Sequence, residues 1–190
     1  MAYQVYITEA LVCTSRNSNT SDRSYLLFTK DSGMLWASAK SVREERSKHR
    51  YALQDFSRVR VSLVRGKSGW RVTGSEALGS LYHAADSREA RTLIRNIVRL
   101  LRRLLHGETP LPRVYEDCVA ALGVSLADTI KLETVFTLRL LHELGYIDPE
   151  HSHEEIFDAK TLEEAYTHAN DQIVKESTEV ILKALAESHL

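Results

Sequence analysis

Five short segments rich in apolar residues, separated by polar turns, predict β-strands over the first 80 residues, and the fourth alternates between apolar and polar residues with a period of two. The segments are Gln4–Cys13, Arg23–Thr29, Met34–Lys40, Phe56–Leu63 and Trp70–Ala77. A polar stretch, Thr14–Asp22, predicts a loop after the first strand, and a charged stretch, Ser41–Arg50, predicts a long connection before the fourth. Five short strands with one long basic connection favour a small antiparallel barrel of the OB type.

Beyond residue 80 the apolar residues recur with the period of an α-helix. The clearest helix runs from Asp86 or Ser87 to His106, with one apolar arc and an opposite arc of arginines: Arg88, Arg91, Arg95, Arg99, Arg102 and Arg103. Helices are also predicted over Val114–Leu122 and Thr129–Leu144, followed by an acidic loop at Asp148–Ala159. A capping box at Thr161 begins a last helix that extends through Leu185. The sequence thus predicts an α+β chain, with a barrel domain at residues 1–80 and an all-α domain at 81–190 that ends in an acidic helix.

The formal net charge of −1 over 190 residues hides a division of charge along the chain. Residues 1–115 hold 20 Lys and Arg against 10 Asp and Glu, whereas residues 116–190 hold 5 against 16. The first part therefore carries a net +10 and the second a net −11. This division indicates a polyanion-binding half joined to an acidic half, unless the two halves mainly attract each other.

No catalytic motif is recognisable in the sequence. It contains no Walker loop, dinucleotide-binding glycine motif, HExxH or GxSxG, and no spacing of Ser, His and Asp singles out a nucleophile. The segment His151–Glu155 could ligate a metal, but two His and two Glu are more typical of a solvated acidic loop. Cys13 and Cys118 are interpreted as buried apolar residues. We therefore expect a protein that is not an enzyme and has no metal or cofactor. Without a signal peptide or an apolar run of membrane-spanning length, it is expected to be cytoplasmic and to make no membrane contact.

The candidate binding residues are instead basic. A phosphate chain needs a line of Lys and Arg, and unpaired bases need aromatic faces on which to stack. The barrel segment interleaves its cations with Tyr25, Trp36, Tyr51 and Trp70, although core packing explains Tyr25 and Trp36 equally well. The predicted nucleic-acid-binding residues of the barrel are Lys40, Arg43, Arg46, Lys48, Arg50, Arg58, Arg60, Arg65, Lys67 and Arg71. Those of the first long helix are Arg95, Arg99 and Arg102.

Several short segments, in order over about residues 5–148, resemble the RecO family of recombination mediators. Ala39–Arg43 is similar to the family's AKGxR motif, with Ser41 where Gly is usual. Leu53–Phe56 is similar to its LQPF motif, with Asp55 in place of Pro. The other matching segments are Glu9–Val12, Ser21–Arg23, Leu26–Thr29 and Gly33–Leu35 near the start, and Phe136, Leu138–Leu141 and Leu144–Tyr146, which resemble the F…RLL…LGY pattern of the helical domain.

The resemblance implies an N-terminal OB fold followed by a helical domain. It also implies binding of single- and double-stranded DNA, annealing of complementary strands and help in loading RecA onto strands covered by single-stranded-DNA-binding protein (SSB), with RecR as a partner. Many family members carry a four-cysteine zinc site after the LGY segment. Here Ile147–Ala159 contains no cysteine, so zinc is not expected.

Two alternative functions fit the same residues. An OB-type RNA-binding or translation-associated protein would need the same basic surface, and titration with matched RNA and DNA would separate the two. A non-catalytic adaptor, whose basic and acidic halves bind proteins or self-associate, would instead show assembly without salt-sensitive binding to nucleic acid.

Overall fold

The chain divides into two units, each with its own core. A computed structural model describes residues 4–18, 20–44, 46–123, 128–148 and 154–187. The first unit comprises residues 1–86 together with 105–112, and the second comprises residues 87–104 together with 113–190. The domain limits at 1–80 and 81–190 stay a prediction; the packing differs from them in assigning residues 81–86 and Leu105–Pro112 to the first unit.

Five strands form a closed barrel in the first unit, which confirms the predicted α+β class with an N-terminal OB-type barrel. The strands are β1 (Val5–Asn17), β2 (Arg23–Thr29), β3 (Gly33–Ala39), β4 (Ser57–Gly66) and β5 (Gly69–Ser80). They neighbour one another in the order β1-β2-β3-β5-β4, and β4 pairs with β1 to close the barrel. All pairs are antiparallel except β3 with β5, which meet in a short parallel seam.

The first strand is longer than the sequence pattern predicts. The polar residues from Thr14 onward were expected to form a loop, but Thr14–Asn17 continue β1 and pair with Arg23–Leu26 of β2. The register shifts between Val12 and Thr14, which marks a β-bulge at Cys13. Cross-strand pairing thus overrides the turn-forming composition of this stretch.

The barrel interior is apolar, as the apolar residues of the predicted strands indicate. Its buried cluster includes Val12, Tyr25, Leu27, Leu35, Ala37, Val59, Val61, Leu63, Trp70 and Val72. At the β2–β3 turn, Gly33 has φ +64°, and a Cβ there would collide with the carbonyl of Thr109. Only glycine fits this position, because it combines a left-handed backbone with a close approach of another segment. Two short helices, α1 (His49–Ala52) and α2 (Leu81–Ala84), complete the unit.

In the part of the second unit that the structure describes, there are six helices, one of which is central. They are α3 (Arg88–Leu104), α4 (Pro112–Gly123), α5 (Thr129–Glu143), α6 (Glu154–Asp158), α7 (Leu162–His168) and α8 (Asp171–Glu187). Helix α5 contacts α3, α6, α7 and α8, and seven consecutive residues of it, Val135–Leu141, are buried. Asp128 caps its N-terminus by accepting hydrogen bonds from the amides of Ile130 and Lys131, as its position before the helix predicts.

Two expectations for the C-terminal segment are wrong. The predicted acidic loop at Asp148–Ala159 contains α6, which forms because Ile156 and Phe157 are buried. The predicted single helix from Thr161 to Leu185 is two helices, α7 and α8. The break lies at Ala169, whose backbone is extended, and at Asn170, whose side-chain oxygen accepts a hydrogen bond from the amide of Ile173. Asparagine therefore starts a new helix where the apolar spacing alone suggested continuity.

Candidate nucleic-acid interface

Three of the predicted cations surround one groove on the barrel. Lys40 follows the end of β3, Lys67 lies in the β4–β5 turn and Arg71 lies on β5. Together with Ser38 they line a groove of about 360 Å³ beside the parallel seam. All three cations are exposed, and no described carboxylate forms an ion pair with any of them. Their charge is therefore available to a phosphate chain.

The strand register continues this surface beyond the groove. Arg16 of β1 lies opposite Ser24 of β2, Ser24 lies opposite Ser38 of β3, and Ser38 is paired with Arg71 of β5. Paired residues project from the same side of a sheet, so these four form one row across four strands. Three strand spacings of about 4.8 Å separate the backbones at its two ends by about 14 Å. Each end of the row carries an arginine.

An exposed tryptophan lies beside this row. Trp36 of β3 is 39% exposed and is paired in register with Leu26 of β2. The guanidinium carbon of Arg16 lies 4.1 Å from the centre of the Trp36 ring, which places the cation over the face of the indole. We call the surface formed by Arg16, Trp36, Lys40, Lys67 and Arg71 the open basic face.

Sequence reasoning missed Arg16, although it predicted the three groove cations. Arg16 was assigned to a polar loop, whereas the strand extends through it. Residues 14–18 are all polar, so no alternation of apolar and polar residues marks this part of the strand in the sequence. Of the four interleaved aromatic residues, Tyr25 and Trp70 lie in the core, while Trp36 and Tyr51 are exposed.

The charged connection after β3 presents further cations. Arg43, Arg46, Lys48 and Arg50 are all exposed. The connection is tied to the β1–β2 turn, since the guanidinium of Arg43 donates to the carbonyl of Thr20 at 2.9 Å and its amide donates to Ser21. Ser41 has φ +53°, the left-handed conformation that glycine adopts most easily, and its amide donates to the carboxylate of Asp22. A glycine in the corresponding AKGxR position would suit this backbone.

The remaining predicted arginines of the barrel are held by carboxylates. Arg58 donates to Glu9 at 2.7 Å, and Arg60 donates to Glu76 at 2.9 Å with a second contact to Glu9 at 3.8 Å. We call this group the acid-paired face. Arg65 donates to Glu108 at 3.0 Å and its guanidinium lies 5.3 Å from the Trp70 ring. The alternation along β4 is as predicted, but the contribution of these three arginines to phosphate binding stays a prediction and is opposed by their ion pairs.

The arginines of α3 lie in the second unit. Arg95, Arg99 and Arg102 are exposed, and Arg95 donates to the hydroxyl of Thr92. Arg99 also borders a groove of about 330 Å³ between α3, α5 and α8. The groove is lined by apolar Ile97, Leu100, Ile181 and Leu185, with Arg99, Arg103, Asn96, Glu133 and Thr137 as its polar residues. A cationic rim over an apolar floor suits a ligand that combines negative charge with apolar side chains.

The arginine of the F…RLL…LGY pattern has a structural role. Arg139 is 4% exposed and makes a two-pronged ion pair with Asp117, at 2.7 and 3.2 Å. It also donates to the carbonyls of Ile156 and Ala159. Burial raises the pKa of Asp117 above its ordinary value, and the Arg139 guanidinium opposes that shift. These contacts join α4, α5 and the segment around α6.

The described residues contain no group of three or more His, Cys, Asp or Glu side chains arranged to hold a metal ion. His151 and His153 of the candidate metal segment lie outside the described residues. Among the described helices, none is long and apolar enough to cross a membrane. Among the described residues, the fold brings three of the predicted barrel cations together at the open basic face, next to the connection that carries four more, while Arg95, Arg99 and Arg102 lie on α3.

Comparisons with known proteins agree with the barrel and with the matched motifs. Residues 1–81 match the family model described as recombination protein O N terminal. The chain is 31% identical over 146 residues to DNA repair protein RecO of Desulfitobacterium hafniense, covering 75% of this chain and 52% of the relative. It is 29% identical over 142 residues to DNA repair protein RecO of Dehalococcoides mccartyi, covering 73% and 56%. DNA repair protein RecO of Myxococcus xanthus is 30% identical over 111 residues, covering 58% and 46%.

The chain spans about half the length of the curated relatives that it matches. The matches to the first two of these relatives cover 142 to 146 residues, well beyond the 81 of the family model, and so extend past the barrel. The order of the motifs, the closed five-stranded barrel and these similarities agree with one another, and the chain belongs to the RecO family.

Proposed function

We propose that the chain binds DNA through the open basic face and acts in recombinational repair as a binding protein, not as an enzyme. The observation that carries this proposal is the groove in which Lys40, Lys67 and Arg71 converge without a described carboxylate partner. A concave surface with this charge attracts a phosphate chain by counterion release. The similar proteins are named DNA repair protein RecO, which supports a role in repair.

Annealing is the mechanism that this surface supports best. Phosphates of one strand would lie along Lys40, Lys67 and Arg71 and continue over the connection that carries Arg43, Arg46, Lys48 and Arg50. Neutralised phosphates repel a complementary strand less, so two strands can approach and pair. Arg95, Arg99 and Arg102 of α3 offer a second basic surface for single- or double-stranded DNA, and the paired Arg58, Arg60 and Arg65 contribute less.

The second unit offers a site for a protein partner. The groove between α3, α5 and α8 combines an apolar floor with Arg99 and Arg103. This combination fits the acidic C-terminal tail of SSB, and would bring the chain to SSB-coated strands onto which RecA is loaded. RecR and RecA complete the set of proposed partners, and a cytoplasmic location belongs to the same proposal.

A salt titration tests DNA binding directly. Fluorescence anisotropy with a labelled single strand should give an affinity that falls linearly in logarithm with salt, with a slope of about −0.7 per neutralised phosphate. Replacing Lys40, Lys67 and Arg71 with Ala should make that slope shallower by about 2. An unchanged slope would show that the groove does not hold phosphates.

An annealing assay tests the mediator role. Complementary strands coated with SSB should pair faster when the chain is present, and SSB without its acidic tail should reduce this effect. If the chain binds naked strands but never accelerates pairing, DNA binding stands and the annealing role fails. Parallel titration with RNA of the same sequence tests the RNA-binding alternative, which the structure does not favour over DNA.

A further inference from the structure

Trp36 lies on the outer face of the barrel and is not part of its buried core. Its neighbours in the chain, Leu35 and Ala37, are buried, whereas Trp36 points outward and remains 39% exposed. The other tryptophan, Trp70, is a core residue of the same barrel. Because the Trp36 indole lies outside this core, its aromatic surface is available to stack with a planar ligand.

A planar cation already occupies one position against the indole. The guanidinium of Arg16 lies 4.1 Å from the ring centre, and no described carboxylate forms an ion pair with Arg16. A nucleobase has the same requirement as the guanidinium, a flat π face at van der Waals distance. Arg16 can stack on a base as well as on indole, so the pair can admit a base without losing the cation.

The groove that would hold phosphates begins next to this pair. Ser38, two residues after Trp36 on β3, lines the groove with Lys40, Lys67 and Arg71. Residues two apart on a strand share a face and are about 7 Å apart. A single strand whose phosphates occupy the groove therefore has its bases within reach of Trp36. In a duplex the bases are already stacked and paired, and their faces are not accessible.

We propose that Trp36 and Arg16 form a base-stacking platform through which the barrel distinguishes unpaired bases from duplex DNA. The proposal rests on the proposed function, because it requires the open basic face to bind the backbone of the same strand. Lys40, Lys67 and Arg71 then provide affinity for any phosphate chain, whereas Trp36 and Arg16 provide the preference for a single strand with free bases.

Three probes of equal length separate the two contributions: an oligothymidine strand, an abasic strand with the same phosphates but no bases, and a duplex. The unaltered chain should bind oligothymidine about 5- to 150-fold more tightly than the abasic strand for each stacked base. Trp36→Ala should remove this advantage and leave binding to the abasic strand and the duplex unchanged. Trp36→Phe, which keeps an aromatic face, should retain most of it.

Tyr51→Ala is the matched control, since Tyr51 is 70% exposed and lies outside the platform. It should leave the ratio of oligothymidine to abasic binding unchanged. A second readout uses Trp70→Phe, in which Trp36 is the only remaining tryptophan, because the chain has two. Oligothymidine should quench its fluorescence, and the abasic strand should not. Circular dichroism of each variant confirms that the barrel is folded.

The outcomes separate the two proposals. If the unaltered chain binds none of the probes, the proposed function fails. If the triple Ala variant of Lys40, Lys67 and Arg71 binds all probes more weakly while Trp36→Ala binds every probe like the unaltered chain, the groove stands and the platform is refuted. Equal weakening of all three probes by Trp36→Ala also refutes the platform, because a stacking residue acts only on bases.

Discussion

Two faces of one barrel carry groups of cations, and they differ in what those cations contact. On the acid-paired face, Arg58 and Arg60 are held by Glu9 and Glu76. On the open basic face, Lys40, Lys67 and Arg71 surround a groove with no described carboxylate partner. The difference shows that the number of cations on a strand does not decide whether their charge is available to a ligand. The decisive feature is whether a carboxylate on a neighbouring strand, directly opposite or diagonal, lies within reach of the cation.

The most completely paired arginine should have the largest effect on stability. Arg139→Ala leaves Asp117 buried without its ion-pair partner and removes the hydrogen bonds to the carbonyls of Ile156 and Ala159, so the free energy of unfolding should fall by about 3 to 5 kcal/mol. Urea denaturation measures this value. Arg99→Ala, an exposed arginine of α3, serves as the control and should change stability by less than about 0.5 kcal/mol. A loss below about 1 kcal/mol for Arg139→Ala would contradict a structural role.

Removal of charge from each barrel face should affect binding unequally. The triple variant with Ala at 40, 67 and 71 should lose affinity for single-stranded DNA by at least about tenfold at low salt. The matched triple with Ala at 58, 60 and 65 removes the same charge, yet it should lose only a few-fold, because those arginines are already neutralised. Anisotropy titrations of both variants test this difference, and equal losses would abolish the distinction between the faces.

Release of the paired arginines should turn the acid-paired face into an open one. Glu9→Gln together with Glu76→Gln removes the carboxylates that hold Arg58 and Arg60, so the salt slope for single-stranded DNA should steepen by up to about 1.4. Glu163→Gln with Glu179→Gln on the helical unit changes the net charge equally and serves as the control. If both pairs of substitutions shift the slope alike, only total charge matters and the local pairing has no effect on binding.

The strained residue that follows Lys40 offers a smaller test. Ser41 has φ +53°, and Ser41→Gly should relieve the strain and raise the free energy of unfolding by up to about 1 kcal/mol. The hydrogen bond to Asp22 is made by the amide and survives the substitution. Ser47→Gly, in the same connection but without a positive φ, should be neutral or destabilising. Thermal unfolding of both variants at one pH checks the sign.

The smallest effect is expected from pH. Burial lowers the pKa of His49, and its ring nitrogen Nδ1 lies 2.7 Å from the hydroxyl of Ser75. The folded state thus favours the neutral ring. Stability from this group is present above the ordinary histidine pKa and should decrease as the pH falls below it. Unfolding of the wild-type chain and of His49→Gln between pH 7.5 and pH 5.5 measures the difference, which disappears if His49 does not titrate.

Local pattern predicts much of the fold because strand alternation and helical periodicity are local properties. The strands β2 to β5, the arginine arc of α3 and the Asp128 cap follow directly from neighbouring residues. The strand β1 beyond Cys13 does not, because its polar residues are extended only through pairing with β2. The break between α7 and α8 depends on the hydrogen bond that the Asn170 side chain accepts from the amide of Ile173, which the apolar spacing does not show.

The sequence predicts which residues of the candidate site are basic, but not which of them lie together without a carboxylate partner. Lys40, Lys67 and Arg71 were identified as basic, but their convergence depends on the parallel β3–β5 seam. The pairing of Arg58 with Glu9 joins residues 49 positions apart in the chain, so no local window contains both. Arg16 is not predicted because its all-polar segment is extended only through pairing with β2, and its partner Trp36 lies on another strand. Long-range contacts therefore decide which of many cations remain available.

Because Leu105–Pro112 pack on the barrel, the barrel can be completed only late in translation. The carbonyl of Gly107 accepts a hydrogen bond from the amide of Met34 at 3.1 Å, and Thr109 lies against Gly33. A nascent chain leaves the ribosome from its N-terminus, so all five strands emerge well before these contacts can form. The 17 residues of α3 are translated after the strands and before Leu105–Pro112, so the barrel is completed only after α3 has been made. A fragment that ends at Ser80 would reproduce all the strands and still lack part of their packing.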